Sequence, residues 1–341
     1  MTVTPDRFAE ITFCYRRLRV VLVGDIALDR YLEIDPSLSE TSIETGLPVR
    51  NVVRVRPQPG AGGNVLANLA ALGPMALAAV GVCGDDGEGA ELRRTLDGMG
   101  VDLAHFLVRP DRMTFTYTKP LLMHAGRAPE ELSRLDLRSR TPMPPDLQDA
   151  VVERLEAAAA TADVVVAMDQ VPEASCGLVT ERVRQRLASI AEAQPQKIIL
   201  ADSRTSIGEF ANVRVKVNAS ELARQFGVPE QGADLTALAA RWSGDLGRDV
   251  FLTLGENGVL AASAGDVAHV PGIRIEPPID PVGAGDAVLA GIAMALGAGA
   301  TAAEAAELGN LGAAVTVRKL GTTGTATIAE LAAMHAHAGA S

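Results

Sequence analysis

A chain of 341 residues is long for one compact core but suits a single large α/β domain with a small appendage. Hydrophobic residues make up 48% and aromatics only 3%, so the core must be built from Ala, Val, Leu and Gly, as when helices pack close against a sheet. The formal net charge of −11 argues against nucleic acid and anionic membranes as partners, and an anionic ligand would need a local site of amides or a few cations.

In chain order, residues 1–18 read as a short amphipathic helical lead-in. Asp6, Arg7 and Glu10 interrupt it, so it does not read as a signal peptide. The run Arg19-Val20-Val21-Leu22-Val23, ending at Gly24-Asp25, predicts a buried strand. From about 28 to 56 the pattern breaks into short alternating stretches punctuated by Pro36, Gly46 and Pro48, which predict strands outside the main sheet. A Gly-rich turn then leads into a helix over 60–72, followed by a strand over 77–81 and a helix over 87–99. Residues 104–123 return to short strands.

After Pro144-Pro145 a helix is predicted to about residue 160. Strand 163–168, helix 175–192 and strands 197–201 and 213–217 follow. Helices 219–226 and 233–246, strand 249–254, a hairpin to about 270 and helices 285–297 and 301–318 complete the pattern. Strands alternating with helices predict a parallel sheet covered on both faces, and the two β-only insertions predict one small separate sheet. His335-Ala336-His337 reads as a frayed helix end, and none of the five histidines has metal-ligand spacing. Cys14, Cys83 and Cys176 are odd in number and far apart, which argues against a disulfide framework or zinc knuckle and for a reducing cytoplasm. No apolar run reaches the roughly 18 residues of a membrane span.

One stretch carries chemistry of its own. Gly283-Ala284-Gly285-Asp286 opens the longest apolar helix of the C-terminal half. A helix start presents unpaired N–H groups and the positive end of the dipole, and small residues let a phosphate come close. Asp286 in the first turn can accept a hydroxyl proton beside that anion site. Taken alone, a glycine turn capped by Asp gives the same pattern. Asp169, after a predicted parallel strand, falls at the edge of the sheet where ligands bind.

Asp280 to Gly291, D-P-V-G-A-G-D-A-V-L-A-G, resembles the C-terminal signature of the ribokinase/PfkB carbohydrate kinase family. The N-terminal signature is matched by Gly60-Ala61-Gly62-Gly63-Asn64, then Leu72-Gly73 and Gly81-Val82-Cys83-Gly84-Asp85-Asp86-Gly87, about 220 residues upstream. The resemblance runs from about residue 19 to 328. It is greatest to kinase domains acting on heptose 7-phosphate, through Gly24-Asp25-Ile26-Ala27-Leu28-Asp29-Arg30-Tyr31, Arg134-Leu135-Asp136 and Lys319-Leu320-Gly321-Thr322.

The resemblance implies a ribokinase-like α/β fold over residues 19–341, with a central mostly parallel sheet, flanking helices and a β-sheet lid from insertions near 28–56 and 104–123. It implies ATP-dependent phosphorylation of a sugar or sugar phosphate, with Mg2+ and in many relatives K+. Asp286 is then the general base, and the Gly283, Ala284 and Gly285 amides form the anion hole. Asp29, Gly60 and Asn64 meet sugar hydroxyls. Asn218 and Glu221 match the family's N-x-x-E motif, whose Glu organises magnesium through water, although a helix capping box has the same pattern.

Thr253, Gly255 and Gly258 match the nucleotide loop. Asn310 falls at the adenine slot or faces solvent. Asp280 and the segment 318–323 match a monovalent cation site, where Pro281 departs from the usual Thr or Val. Lys119 and Arg134 either hold a substrate phosphate or lie on a solvated lid. Dimerisation through the lid is common in the family.

Overall fold

The apolar runs become the strands of one sheet in the computed structural model, which describes residues 3–127, 129–321 and 323–339. Thr322 lies outside the described residues. The strands are β1 (Arg19–Gly24), β2 (Ala76–Val80), β3 (Val164–Asp169), β4 (Ile198–Ser203), β5 (Arg214–Asn218), β6 (Val250–Thr253), β7 (Val259–Ser263) and β8 (Asp266–Val270). Across the sheet they run β8-β7-β6-β5-β4-β3-β1-β2. β1 to β6 are parallel, and β7 and β8 are an antiparallel edge.

All six residues of β3 are buried, because helices cover both faces of a parallel sheet. Side chains alternate between the two cores. Val20, Leu22, Val164, Val166 and Leu200 face helices Gly62–Leu72, Ala284–Gly297, Ala302–Thr316 and Ile328–Gly339. Val21, Val23, Val165, Val215 and Val217 face helices Pro145–Thr161, Glu181–Ala193 and Leu235–Leu246. Small residues set the helix spacing: a Cβ on Gly291 would stand 2.9 Å from Cα of Gly309 in the neighbouring helix. That is how a core poor in aromatics reaches close packing.

The lid is a five-stranded sheet. Its strand Ile26–Ile34 leaves β1 almost directly and lies between Val52–Ala61, antiparallel, and Thr116–Leu122, parallel. Short strands Glu130–Glu131 and Leu135–Leu137 extend it on the far side of Thr116–Leu122. The lid therefore reaches beyond the expected boundary at 123. Leu107–Arg109, expected in the second insertion, pairs with Val82–Gly84 instead.

Two expectations fail because of contacts with residues distant in sequence. The helix predicted from 175 starts at Glu181, because 171–180 is a turn region containing Pro172 and Ser175 at φ 58°. Asp25 organises that turn by accepting the N–H groups of Gln170, Val171 and Leu178. The C-terminal histidines are not frayed. His335 is buried, stacks on Phe8 at 5.0 Å and bonds the Val3 carbonyl, docking the N-terminal helix Pro5–Cys14 against Ile328–Gly339. No helix among the described residues is long and apolar enough to cross a membrane.

If this docking is part of the core, Phe8→Ala will cost on the order of 3 kcal/mol, read as a lower thermal or urea midpoint. An unchanged midpoint would mean that the N-terminal helix contributes nothing to the fold.

Candidate active site

The carboxyl ends of β1, β3, β4, β5 and β6 share one edge of the sheet, and helix Ala284–Gly297 begins over it. Gly283 caps that helix at φ 82°, a left-handed conformation that suits glycine. The Ala284 N–H turns back to the Pro281 carbonyl at 3.1 Å, and the Asp286 N–H to the Gly283 carbonyl at 3.1 Å. The N–H groups of Gly283 and Gly285 have no acceptor among the described residues. Of the three amides expected to face an anion, that of Ala284 is taken up by the tight turn from Pro281, and those of Gly283 and Gly285 are left.

Asp286 stands in the first turn, partly exposed to the cleft. Desolvation and then the nearby Asp202 carboxylate push its pKa up to about 7, against the pull of Lys216, a hydrogen bond from Asn64, and Arg204. Asn64, in the first turn of helix Gly62–Leu72, is thus near enough to Asp286 to act on its titration.

The sequence reading did not single out Asp202, Arg204 or Lys216. Asp202 pairs in register with Lys216 on the adjacent strand, and Lys216 Nζ bonds Asp202 Oδ2 at 2.6 Å. Val215 and Val217 face the opposite core, so Lys216 points under helix Ala284–Gly297. The available signal was a lone lysine alternating with valines, Val213-Arg214-Val215-Lys216-Val217, beside a strand ending in Asp-Ser. A charge on the covered face of a buried strand needs a partner and a reason.

On the lid, Asp29 is 4% exposed. Its Oδ2 accepts from Lys119 Nζ at 2.7 Å, and Lys119 also donates to Tyr31 Oη at 3.2 Å. Burial works against the Lys119 charge, but Asp29 outweighs it and holds the ammonium above the ordinary lysine range. Asp29 Oδ1 has no partner among the described residues. A Cβ on Gly60 would fall 2.5 Å from that oxygen, so only glycine leaves it open. Arg134 grips Asp136 with two hydrogen bonds and covers the Tyr117 ring at 4.1 Å. Lys119 and Arg134, read as holding a substrate phosphate or lying on a solvated lid, both carry carboxylate partners.

Asp169 is placed at the end of β3 as expected, but its carboxylate accepts the Ser203 hydroxyl at 2.6 Å and is only 5% exposed. Burial pushes its pKa up to about 7.

An open cleft of about 530 Å³ is lined by Asn218, Ser220, Thr253, Leu254, Gly255 and Asn257. Gly255 and Gly258 both have left-handed φ, 60° and 94°. Asn310 is buried rather than solvent-facing, and its amide reaches the Val270 and Pro271 carbonyls, the backbone that packs against Gly258. It braces the turn at Gly255–Gly258 from behind.

Asn218 and Glu221 form a full capping box: Glu221 N–H donates to Asn218 Oδ1 at 2.9 Å, and Glu221 Oε2 accepts the Asn218 N–H at 2.8 Å. The cap and a metal role are compatible, because the cap uses one carboxylate oxygen. No group of three His, Cys, Asp or Glu residues able to hold a metal exists among the described residues. The donors present fit a hard cation held by one or two carboxylates with waters and phosphates, as magnesium is. Asp280 Oδ1 accepts the Val282 N–H at 3.1 Å, closing its own turn.

The Asp169 carboxyl titrates higher in the fold than in the unfolded chain. Its stabilising contribution is therefore complete below the ordinary carboxylate range and lost as pH rises through about 7. Asp169→Asn, neutral throughout, will gain a few degrees of Tm over the wild type at pH 8 and less at pH 5. A Tm difference that does not change with pH would contradict this.

Residues 20–329 match the model of the pfkB family carbohydrate kinases. The bifunctional protein HldE of Azorhizobium caulinodans is 33% identical over 92% of this chain and 64% of its own length. That of Shewanella amazonensis is 31% identical over 96% of the chain and 66% of its own. The chain thus spans just under two thirds of these relatives. Among solved structures, Escherichia coli phosphofructokinase-2 in complex with potassium superposes with a TM-score of 0.73 at 18% identity, covering 94% of this chain and 99% of that one. Arabidopsis thaliana ribokinase complexed with ribose and ATP gives 0.67 at 18%, covering 93% and 98%. The fold is ribokinase-like, and the chain belongs to the pfkB carbohydrate kinase family.

Proposed function

We propose that the protein is an ATP-dependent kinase that transfers the γ-phosphoryl group to a hydroxyl of a sugar phosphate of the heptose 7-phosphate type. The observation that carries this reading is the Asp286 carboxylate beside the unpaired Gly283 and Gly285 amides, over the strand edge that the lid overhangs. The buried unpaired oxygen of Asp29 would orient the sugar. Asn64 would hold Asp286 toward the reacting hydroxyl, and Asp286 would take its proton as the oxygen attacks phosphorus in line. Thr253, Gly255 and Gly258 would seat the nucleotide, with Asn310 behind them.

Magnesium, when bound, offsets phosphate charge, and Glu221 is the residue to orient its waters. A monovalent cation would bind at Asp280. The HldE relatives favour the heptose class, and Lys119, Arg134 and Arg204 are cations near the lid pocket that would meet a substrate phosphate, the first two by sharing their present carboxylate partners. Exposed Val53, Val55, Leu135 and Leu137 on lid strands favour a homodimer through the lid. Three free cysteines suit a reducing cytoplasm.

Asp286→Asn is expected to fold, bind ATP and lose roughly 10²–10⁴-fold in kcat. Retention of turnover would refute the base assignment. In the wild type, the base works when ionised, so kcat/KM should climb with pH and level off above about 7. A profile flat from pH 5.5 to 8 would contradict it. Gly60→Ala should raise the sugar KM at least tenfold with the ATP KM nearly unchanged, because its methyl group would press on Asp29. Equal effects on both KM values would assign Gly60 a structural role. A panel of sugars and sugar phosphates, followed by ADP release, identifies the acceptor.

A further inference from the structure

Lys216 is a buried cation at the strand edge to which the mechanism above gives no task. Its side chain is 7% exposed. A Cβ on Gly285 would lie 3.6 Å from its Nζ, so the ammonium sits directly beneath the first turn of the helix, beside the two unpaired amides. An ammonium has three donors, and among the described residues Lys216 uses one, toward Asp202. Burial opposes its charge, but Asp202, then Glu221 and Asp286, outweigh it and keep the lysine protonated. Three carboxylates thus act on one buried cation, and a triphosphate entering this cleft needs the positive groups beneath the helix start, Lys216 and the amides, to offset them.

We propose that Lys216 is a catalytic residue, whose ammonium, parked on Asp202 in the resting site, donates to the transferring phosphoryl group alongside the Gly283 and Gly285 amides. This rests on the kinase reading. As the bond from the sugar oxygen to phosphorus forms, the bond from phosphorus to the bridging oxygen of ATP breaks and ADP leaves with its electron pair. The hydroxyl proton goes to Asp286, and Lys216 keeps its protons throughout. A fixed cation aimed where charge gathers in the transition state is the arrangement that lowers a phosphoryl-transfer barrier. Asp202 holds the ammonium in place until the phosphate arrives.

The groups facing Asp286 are Asp202 and Arg204 from the end of β4, Lys216 from β5 and Asn64 from helix Gly62–Leu72. Removing the ammonium therefore also removes a pull that favours the ionised base.

The test compares Lys216→Met with the wild type in kcat, both KM values, the pH profile and the affinities for ADP and for ADP with aluminium fluoride plus sugar. The expected result is a 10²–10³-fold loss in kcat, with ADP affinity within threefold. The aluminium fluoride complex should weaken at least a hundredfold, and the acidic limb should move to higher pH. Lys216→Met alone strands Asp202 as a buried unpaired charge. If it fails to fold, Lys216→Met with Asp202→Asn removes both charges, and it should fold and show the same losses in kcat and in the aluminium fluoride complex, without the upward move of the acidic limb, because the Asp202 charge that raises Asp286 is gone as well.

A kcat within fivefold of the wild type, or a loss matched by equal weakening of ADP and of the aluminium fluoride complex, overturns the proposal and leaves the kinase reading standing. A wild type that turns over no sugar overturns both.

Discussion

Everything at this site depends on one geometric constraint: parallel strands end together. β1, β3, β4, β5 and β6 terminate on one edge, and helix Ala284–Gly297 starts above it. Side-chain alternation then decides what lies beneath the helix. Because Val215 and Val217 face the opposite core, Lys216 must face the helix, and register puts Asp202 beside it. The helix start supplies amides, the strand ends supply charges, and the first turn supplies Asp286. No loop has to be long for these groups to meet.

The charges there are poorly balanced without a ligand. Asp202, Glu221 and Asp286 share a single buried cation, and both Asp286 and Glu221 titrate above their ordinary ranges, burial being the first cause in each. Such a cluster weakens the resting fold but suits a site that receives phosphates with a divalent cation. The lid pocket follows the same logic. Lys119 neutralises one oxygen of Asp29, Gly60 leaves the other uncovered, and a hydroxyl donor completes the set. The lid strand Val52–Ala61 also reaches the segment after the last long helix, through Thr323 Oγ1 and Gln58 Oε1 at 3.5 Å. Thr323 in turn packs near Gly283, so the lid and the start of helix Ala284–Gly297 are mechanically neighbours.

Much of this was legible in the sequence, because its signals are local. The β-branched runs, the Gly-Ala-Gly-Asp turn and the Asn218–Glu221 cap lie within a few residues of what they specify. The lid was read too short, since Glu130–Glu131 and Leu135–Leu137 become strands only by pairing with Thr116–Leu122. The start of helix Glu181–Ala193 was misjudged because Asp25, far upstream, decides the preceding turn. Lys216 and Asp202 escaped for a similar reason. Each is unremarked alone, and only strand register joins them. Asn310 and Lys119 were placed near their regions, but their partners, two backbone carbonyls and Asp29, are long-range and invisible to spacing.

The central claim is direct, in-line transfer with Asp286 as base rather than nucleophile. The most direct measurement is the stereochemical course at phosphorus, using ATP made chiral at the γ-position and the phosphorylated sugar as product. The account predicts inversion, the outcome of a single displacement. Retention would require two displacements through a phosphorylated protein group, and would contradict the role given to Asp286.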